Sequence, residues 1–241
     1  MKILIFGGTS EALEFCKILH HDGHEITLSI AGKTQNPKLP KHGEIRIGGF
    51  GGIENLTQYF VINQFNLIID ATHPYAKNIS RQLVAAANIS NKNLLRFARP
   101  IWQKQQKTNW QDYANFTQAL RQLPSNATAF ITTGHKDLEK LQTRTDCQFF
   151  IRLIEPPKIP LTNNIKLTIS RPPYTFKNEI AFLIENKITH LISKNSGSDQ
   201  TKAKIDAAIK LGINISMISR PKLDEAKTFF DIKILLSSLK N

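Results

Sequence analysis

KILIFGGTSEA, residues 2–12, sets an unbroken apolar run against two glycines, two hydroxyls and an acid. Lys2 to Phe6 reads as a strand whose residues do not alternate between polar and apolar. A strand with both faces apolar belongs in a parallel sheet covered by helices on each side. Gly7 and Gly8 break the run, and Ser10 is a good N-cap for a helix reaching about His21. Leu13, Cys16, Ile18 and Leu19 supply that helix with an apolar face. Strand, glycine turn and helix in this order make the first half of a strand–helix–strand unit.

Read outward, the same alternation recurs. Strands are expected at Glu25–Ile30, Glu44–Ile47, Leu67–Ile69 and Leu94–Phe97, with helices at Ile53–Ile62 and Tyr75–Ala87 between them. Residues 99–115, RPIWQKQQKTNWQDYAN, are polar and Gln-rich and read as a connection. The alternation then resumes: helix Phe116–Leu123, strand Ala127–Ile131, a helix from Lys136, and strands Phe149–Ile154 and Lys166–Ile169. Helix Lys177–Glu185, strand His190–Ile192, helix Lys202–Leu211, strand Asn214–Ile218 and a last helix Asp231–Leu239 follow. The expected fold is α/β: two Rossmann-like, doubly wound lobes with parallel sheets and a cleft between them. Residues 1–98 form the N-terminal lobe and 116–241 the C-terminal one.

The 241 residues carry 32 Lys and Arg against 19 Asp and Glu, a formal charge of +13, spread along the whole chain. No basic patch with interleaved aromatics, zinc-finger spacing or basic zipper accompanies that charge, which argues against nucleic acid and for an anionic small molecule. No apolar run approaches the ~18 residues of a membrane span, and MKILIFGG lacks the features of a signal peptide. Cys16 and Cys147 have no metal or redox spacing, so reduced thiols and a cytoplasmic location are expected. No zinc motif and no nucleophile elbow is present. Composition leaves the oligomeric state open.

In doubly wound sheets, ligands bind beyond the carboxyl ends of the strands. Gly7-Gly8-Thr9-Ser10-Glu11-Ala12 fits the dinucleotide fingerprint in part: Gly7 stands first, Ala12 third, and Thr9 replaces the middle glycine. The second strand ends in Ser29-Ile30-Ala31-Gly32-Lys33-Thr34, with no acid to accept the ribose hydroxyls of NADH. Ser29, Lys33 and Thr34 offer donors for a 2′-phosphate, which favours NADPH. Gly48-Gly49-Phe50-Gly51-Gly52 permits close backbone approach, and the Phe50 ring could cover a flat ligand. In Asp70-Ala71-Thr72-His73-Pro74-Tyr75-Ala76, Thr72 is expected to cap the next helix and Pro74 to start it. His73 has no such use and is the candidate proton carrier or cofactor contact. The second lobe offers Thr133, Gly134 and Lys136, then Arg171, then Lys194, Ser196 and Lys202, a set suited to several carboxylates.

The stretches GGTSEA, GGFGG, DATHPYA, RFARPIW, TTGHKDL, ISRPPY, SKNSG and AAIKLGINISMISRP, in this order, resemble the precorrin-6A reductase family of cobalamin biosynthesis. The resemblance runs from Gly7 to Pro221. It implies two Rossmann-like lobes, use of NADPH, and reduction of a ring double bond of a polycarboxylate corrin precursor, with or without cobalt. It assigns Gly7, Gly8, Thr9 and Glu11 to the phosphate loop and the basic second-lobe loops to the macrocycle. Leu13 and His135 stand where the family carries arginine, Pro172 where it carries glycine, and Asn195 where it carries aspartate. Two other readings fit the loops: a different NADP-dependent oxidoreductase with a polycarboxylate substrate, and a non-catalytic dinucleotide-sensing module.

Overall fold

A computed structural model describes residues 1–32 and 37–239, so the expectations placed on Lys33 and Thr34 lie outside the described residues. The chain divides into two compact units, one made of residues 1–100 and 221–241 and the other of 101–220.

In the first unit, β1 (Lys2–Phe6) leads into α1 (Ser10–His21), β2 (Glu25–Ile30), β3 (Glu44–Ile47), α2 (Ile53–Ile62), β4 (Leu67–Asp70), α3 (Lys77–Ile89) and β5 (Asn93–Phe97). The chain later returns to it with β12 (Lys227–Phe229) and α8 (Ile232–Ser237). The sheet is parallel, in the order β12-β5-β4-β1-β2-β3. Its strands are apolar throughout because both faces are covered. Ile3 and Ile5 point to a layer with Phe15, Leu19, Leu28, Ile69 and Leu235. Leu4 and Phe6 point the other way, to Leu56, Phe60, Phe65 and Leu83.

The second unit holds β6 (Trp110–Tyr113), α4 (Phe116–Arg121), β7 (Thr128–Thr132), a 3-10 turn (His135–Asp137) running into α5 (Leu138–Leu141), and β8 (Gln148–Leu153). Then come β9 (Ile165–Ile169), α6 (Phe176–Glu185), β10 (His190–Lys194), α7 (Asp199–Lys210) and β11 (Asn214–Ile218). Its parallel sheet runs β6-β11-β10-β7-β8-β9. The first sheet therefore has the 3-2-1-4-5-6 order of the dinucleotide fold; the second matches it over β9-β8-β7-β10-β11, but its sixth position is filled by β6, the unit's first strand in sequence. The order reverses between β1 and β4 and again between β7 and β10.

The sixth strand of each sheet departs from the expected division. Residues 99–115 are not simply a connection, because they contain β6 and bury Trp102 and Trp110 in the second unit's core. Residues 221–241 do not stay with the second unit: β12 pairs with β5, and Leu235 of α8 is fully buried in the first. Both strands lie at sheet edges, where one neighbour suffices. WQDY and KTF are too short and polar to announce themselves.

Among the described residues no helix is long and apolar enough to cross a membrane. Cys16 and Cys147 are both buried and unbonded, and burial pushes the Cys16 thiol up to about 12.

Candidate active site

The first unit's loops converge where the strand order reverses. Gly7 turns at φ +142°, its amide donates to the Ser29 carbonyl, and a Cβ there would lie 2.4 Å from the Ala71 oxygen. Only glycine lets the β1 loop pass so close to the end of β4. Thr9, rather than the expected Ser10, caps α1: its Oγ1 accepts from the Ala12 amide at 3.1 Å and donates to the Ala71 carbonyl at 2.9 Å. One hydroxyl thus fixes the helix start and ties it to β4. Among the described residues no hydrogen bond uses the amides of Gly8 or Ser10 at the start of the helix, while the Glu11 amide turns to its own carboxylate. A Cβ at Gly8 would meet nothing within 4 Å. Free amides, a helix N-terminus and open space above a glycine make an anion cradle.

Glu11 is a correction to the phosphate loop. Its two oxygens accept from Nε and Nη2 of Arg99, the former at 2.7 Å, and Ser10 Oγ donates to it at 3.1 Å. Burial pushes the Glu11 carboxyl up, but Arg99 outweighs it and the group titrates below the usual range. The Glu11 side chain and the Ser10 hydroxyl are therefore structural here, and of the two residues only Ser10 has a backbone amide left for the cradle.

Thr72 is a second correction. It does not cap α3, whose N-cap is Ala76. Its hydroxyl donates to Asp70 Oδ1 at 2.7 Å and meets Ser80 Oγ at 3.2 Å. Pro74 precedes the helix in a tight turn closed by the Ala76 amide on the His73 carbonyl at 2.7 Å. Asp70 is buried and paired with Arg96 of β5, Nε to Oδ2 at 3.1 Å, while Arg96 Nη1 donates to the Asp224 carbonyl. His73 is exposed beyond this network, its ring 5.6 Å from that of Tyr75 and its Nδ1 accepting from the Tyr75 amide.

At the β2 and β3 ends, Ser29 is buried, with its carbonyl taken by Gly7. Phe50 is not free to cover a ligand. Its ring packs on Phe6 and Tyr59, with centroids 5.6 and 5.2 Å away, and the Arg46 guanidinium lies over it at 3.4 Å. Gly49 supplies a carbonyl to Arg46, and Gly51 turns at φ +77° before α2.

In the second unit, adjacency of β7 and β10 brings Thr133, Gly134, Lys136, Lys194 and Ser196 to one place. Lys194 Nζ donates to the Thr133 carbonyl and lies 3.8 Å from Asp137 Oδ2. Burial pulls the Lys194 ammonium down, Asp137 pulls it back up, and the nearby charge of Lys136 lowers it again. Thr133 Oγ1 is buried with no partner among the described residues, and Gly134 turns at φ +88°. Ser196 is buried and bonded to Thr201 Oγ1 at 3.3 Å.

Arg171 and Lys202 are not gathered with these. Arg171 follows the edge strand β9 and pairs with Glu155 at 3.0 Å. Lys202 lies inside α7, 3.8 Å from Asp206. Asn195 turns inward, its side chain accepting from the Trp102 amide at 2.8 Å and donating to the Trp102 carbonyl at 2.9 Å.

Sequence reading passed over Arg46, Arg96, Arg99 and the buried group Arg152–Glu179–Lys204. The available signal was an arginine inside an apolar strand, NLLRF in β5 and QFFIRL in β8, since a buried guanidinium demands a partner. Among the described residues no cluster of three or more His, Cys, Asp or Glu is placed to hold a metal ion.

Comparison with known proteins extends over the whole chain. The precorrin-6x reductase CbiJ/CobK family matches residues 2–240. The chain is 37% identical over 232 residues to the precorrin-6A reductase of Rhodococcus erythropolis, covering 95% of this chain and 93% of that protein. To the cobalt-precorrin-6A reductase of Priestia megaterium it is 24% identical over 255 residues, 99% and 98% of the two chains. A solved structure of the precorrin-6A reductase CobK is similar with a TM-score of 0.94 at 31% identity, covering 100% of this chain and 96% of that one.

Proposed function

We propose that this chain, which belongs to the precorrin-6x reductase CbiJ/CobK family, uses NADPH to reduce a ring double bond of precorrin-6A. It is an oxidoreductase of the cobalamin pathway, and its family's reduction calls for a nicotinamide as hydride source. The observation that carries the dinucleotide reading is the cradle at α1. Gly7 passes under the Ala71 carbonyl, Gly8 is open above, and the amides of Gly8 and Ser10 have no partner among the described residues. That arrangement fits a pyrophosphate, so Gly8, Thr9 and Ser10 would hold one through their amides, with Gly7 shaping the turn beneath it and Glu11 anchoring the helix start.

When bound, the nicotinamide supplies the hydride; the chain's own residues position, polarise and protonate. His73, exposed just past β4, is the residue we assign to delivering a proton to the ring. Thr133, Gly134, Lys136, Lys194 and Ser196 are assigned to substrate carboxylates. The charge of Lys136 lies close enough to lower the proton affinity of Lys194, and an anion placed beside them offsets that repulsion. Arg171 and Lys202, each held by an acid of its own, contribute at most to the long-range field. For the cobalt-free substrate, the support is that relatives named precorrin-6A reductase are 31–37% identical to this chain. Those named cobalt-precorrin-6A reductase are 22–25% identical.

The test mixes purified protein and NADPH with precorrin-6A or its cobalt complex, following NADPH absorbance and the chromophore. We expect stoichiometric NADPH consumption with the cobalt-free ring and a kcat at least ~100-fold lower for His73→Gln, the scale of a lost proton donor. Binding of NADPH without oxidation by either ring would favour a dinucleotide-sensing module instead. An unchanged kcat in His73→Gln would leave water as the proton source.

A further inference from the structure

We propose that Arg46 makes this chain choose a dinucleotide bearing a 2′-phosphate; the proposal rests on the first unit being the dinucleotide site. In the parallel ladder of β2 and β3, Arg46 is the register partner of Ser29. The end of the second strand is where dinucleotide folds read the adenosine ribose, through an acid for the hydroxyls or an arginine for the phosphate. Here β2 ends without an acid, and the neighbouring strand supplies an arginine. A Cβ at Gly32 would lie 2.8 Å from Ile47 Cγ2, so the two strand ends are packed closely.

The guanidinium is already fixed in place. Nη1 donates to the Gly48 carbonyl at 2.7 Å and Nη2 to the Gly49 carbonyl at 2.8 Å. Its carbon lies 3.4 Å from the centre of the Phe50 ring and 5.4 Å from that of Tyr59. Among the described residues these contacts use two of the five N–H groups of an arginine and leave three. Arg96 and Arg99 are each neutralised by a carboxylate, Asp70 and Glu11. Arg46 is held by two uncharged carbonyls and keeps its charge. Of the acids nearby, Glu44 on the same strand accepts from Thr27 Oγ1 instead. A planar cation with its orientation set before binding and donors to spare is suited to bidentate capture of a phosphate. The loop that a hydrogen-bonding carboxylate would otherwise occupy is thereby turned toward NADPH.

The decisive measurement is binding, by titration calorimetry, of NADP+ and NAD+ and of the fragments 2′,5′-ADP and 5′-ADP. The full chain is compared with Arg46→Met and Arg46→Lys. Methionine keeps an apolar contact on Phe50 and loses the charge; lysine keeps the charge and loses the plane. We expect the unmodified chain to bind NADP+ at least tenfold tighter than NAD+. Arg46→Met should weaken NADP+ and 2′,5′-ADP by about 10- to 100-fold and change NAD+ and 5′-ADP by less than about threefold. Arg46→Lys should fall between. Equal weakening of all four ligands would show a role confined to holding the glycine loop and would overturn the proposal. So would an Arg46→Met variant that kept its preference, which would leave the NADPH reading standing on other residues. If the unmodified chain bound NAD+ as tightly as NADP+, the NADPH reading and this proposal would fall together.

Discussion

A methyl group added at Gly7 would stand 2.4 Å from the Ala71 oxygen, whereas one added at Gly8 would meet nothing within 4 Å. The two neighbours therefore serve different ends, and alanine substitution separates them. Gly7→Ala must adopt φ +142° and push β1 away from β4, so it should cost at least about 1–3 kcal/mol in urea unfolding. Gly8→Ala should leave the urea midpoint unchanged or slightly raised, because alanine narrows the unfolded ensemble at no steric cost. Its methyl instead fills the cradle over the α1 amides, and the Kd for NADPH should rise at least tenfold. A Gly8→Ala variant that binds NADPH normally would remove the cradle from this loop. Glu11 and Arg99 carry a related lesson: a carboxylate at a helix start looks available in sequence, and here its two oxygens are committed to one guanidinium.

Helix α7 raises its own question, because it carries Lys204 into the second unit's core. The ammonium donates to the Thr201 carbonyl at 2.8 Å and lies 5.1 Å from the Trp102 ring. Burial pulls its pKa from 10.5 to about 7, with Glu179 opposing that fall and Arg152 adding to it. Between about pH 7 and 10.5 the unfolded chain holds a proton that the folded chain has released. Stability from this group therefore rises with pH through that window, and below pH 7 the full cost of a buried ammonium is present. Lys204→Met removes the charge and keeps the volume. Its urea midpoint should exceed that of the unmodified protein most clearly below pH 7, the difference fading toward pH 10. A constant difference across that range would mean that packing on Trp102, not the proton, governs the change. The neighbouring Arg152–Glu179 pair, 2.7 Å apart and nearly inaccessible, belongs to the same cluster and ties β8 to α6.

At the scale of the whole molecule, the chain completes each six-stranded sheet with a strand distant in sequence from its partners. β12 and α8 rejoin the first unit after the entire second unit has been laid down. Leu235, near the chain's end, is fully buried against β1, β2, β4 and β5 residues. Leu235→Ala should thus cost about 2–4 kcal/mol, the scale of a buried leucine truncated to alanine. Both tryptophans of the sequence lie in the second unit's core. Tryptophan emission therefore follows that unit, while far-UV circular dichroism follows both. The substitution should lower the dichroism midpoint more than the emission midpoint. Equal shifts in the two signals would mean that the units unfold as one cooperative block.

By itself the sequence determined the strand–helix alternation, the parallel sheets and the loops at their carboxyl ends. These follow from local patterns: runs apolar on both faces, glycines at the turns and hydroxyls at the helix starts. β1, α1, β2, β3, α2 and β11 have the bounds the pattern predicts. Short edge strands were not legible, because WQDY and KTF need only one neighbour and little apolar character. Tertiary structure alone decided which polar groups are engaged with one another. Arg96 meets Asp70 across 26 positions and the Asp224 carbonyl across 128, and Asn195 reaches Trp102 across 93. Such partners are set by strand order and register, which spacing along the chain does not encode. That is why Thr72, Glu11 and Phe50 took other roles than expected, while the turn at Gly7 and the helix start beside it lie where the pattern put them. A positive φ or a cap is a property of a few consecutive residues, whereas an ion pair is a property of two strands meeting.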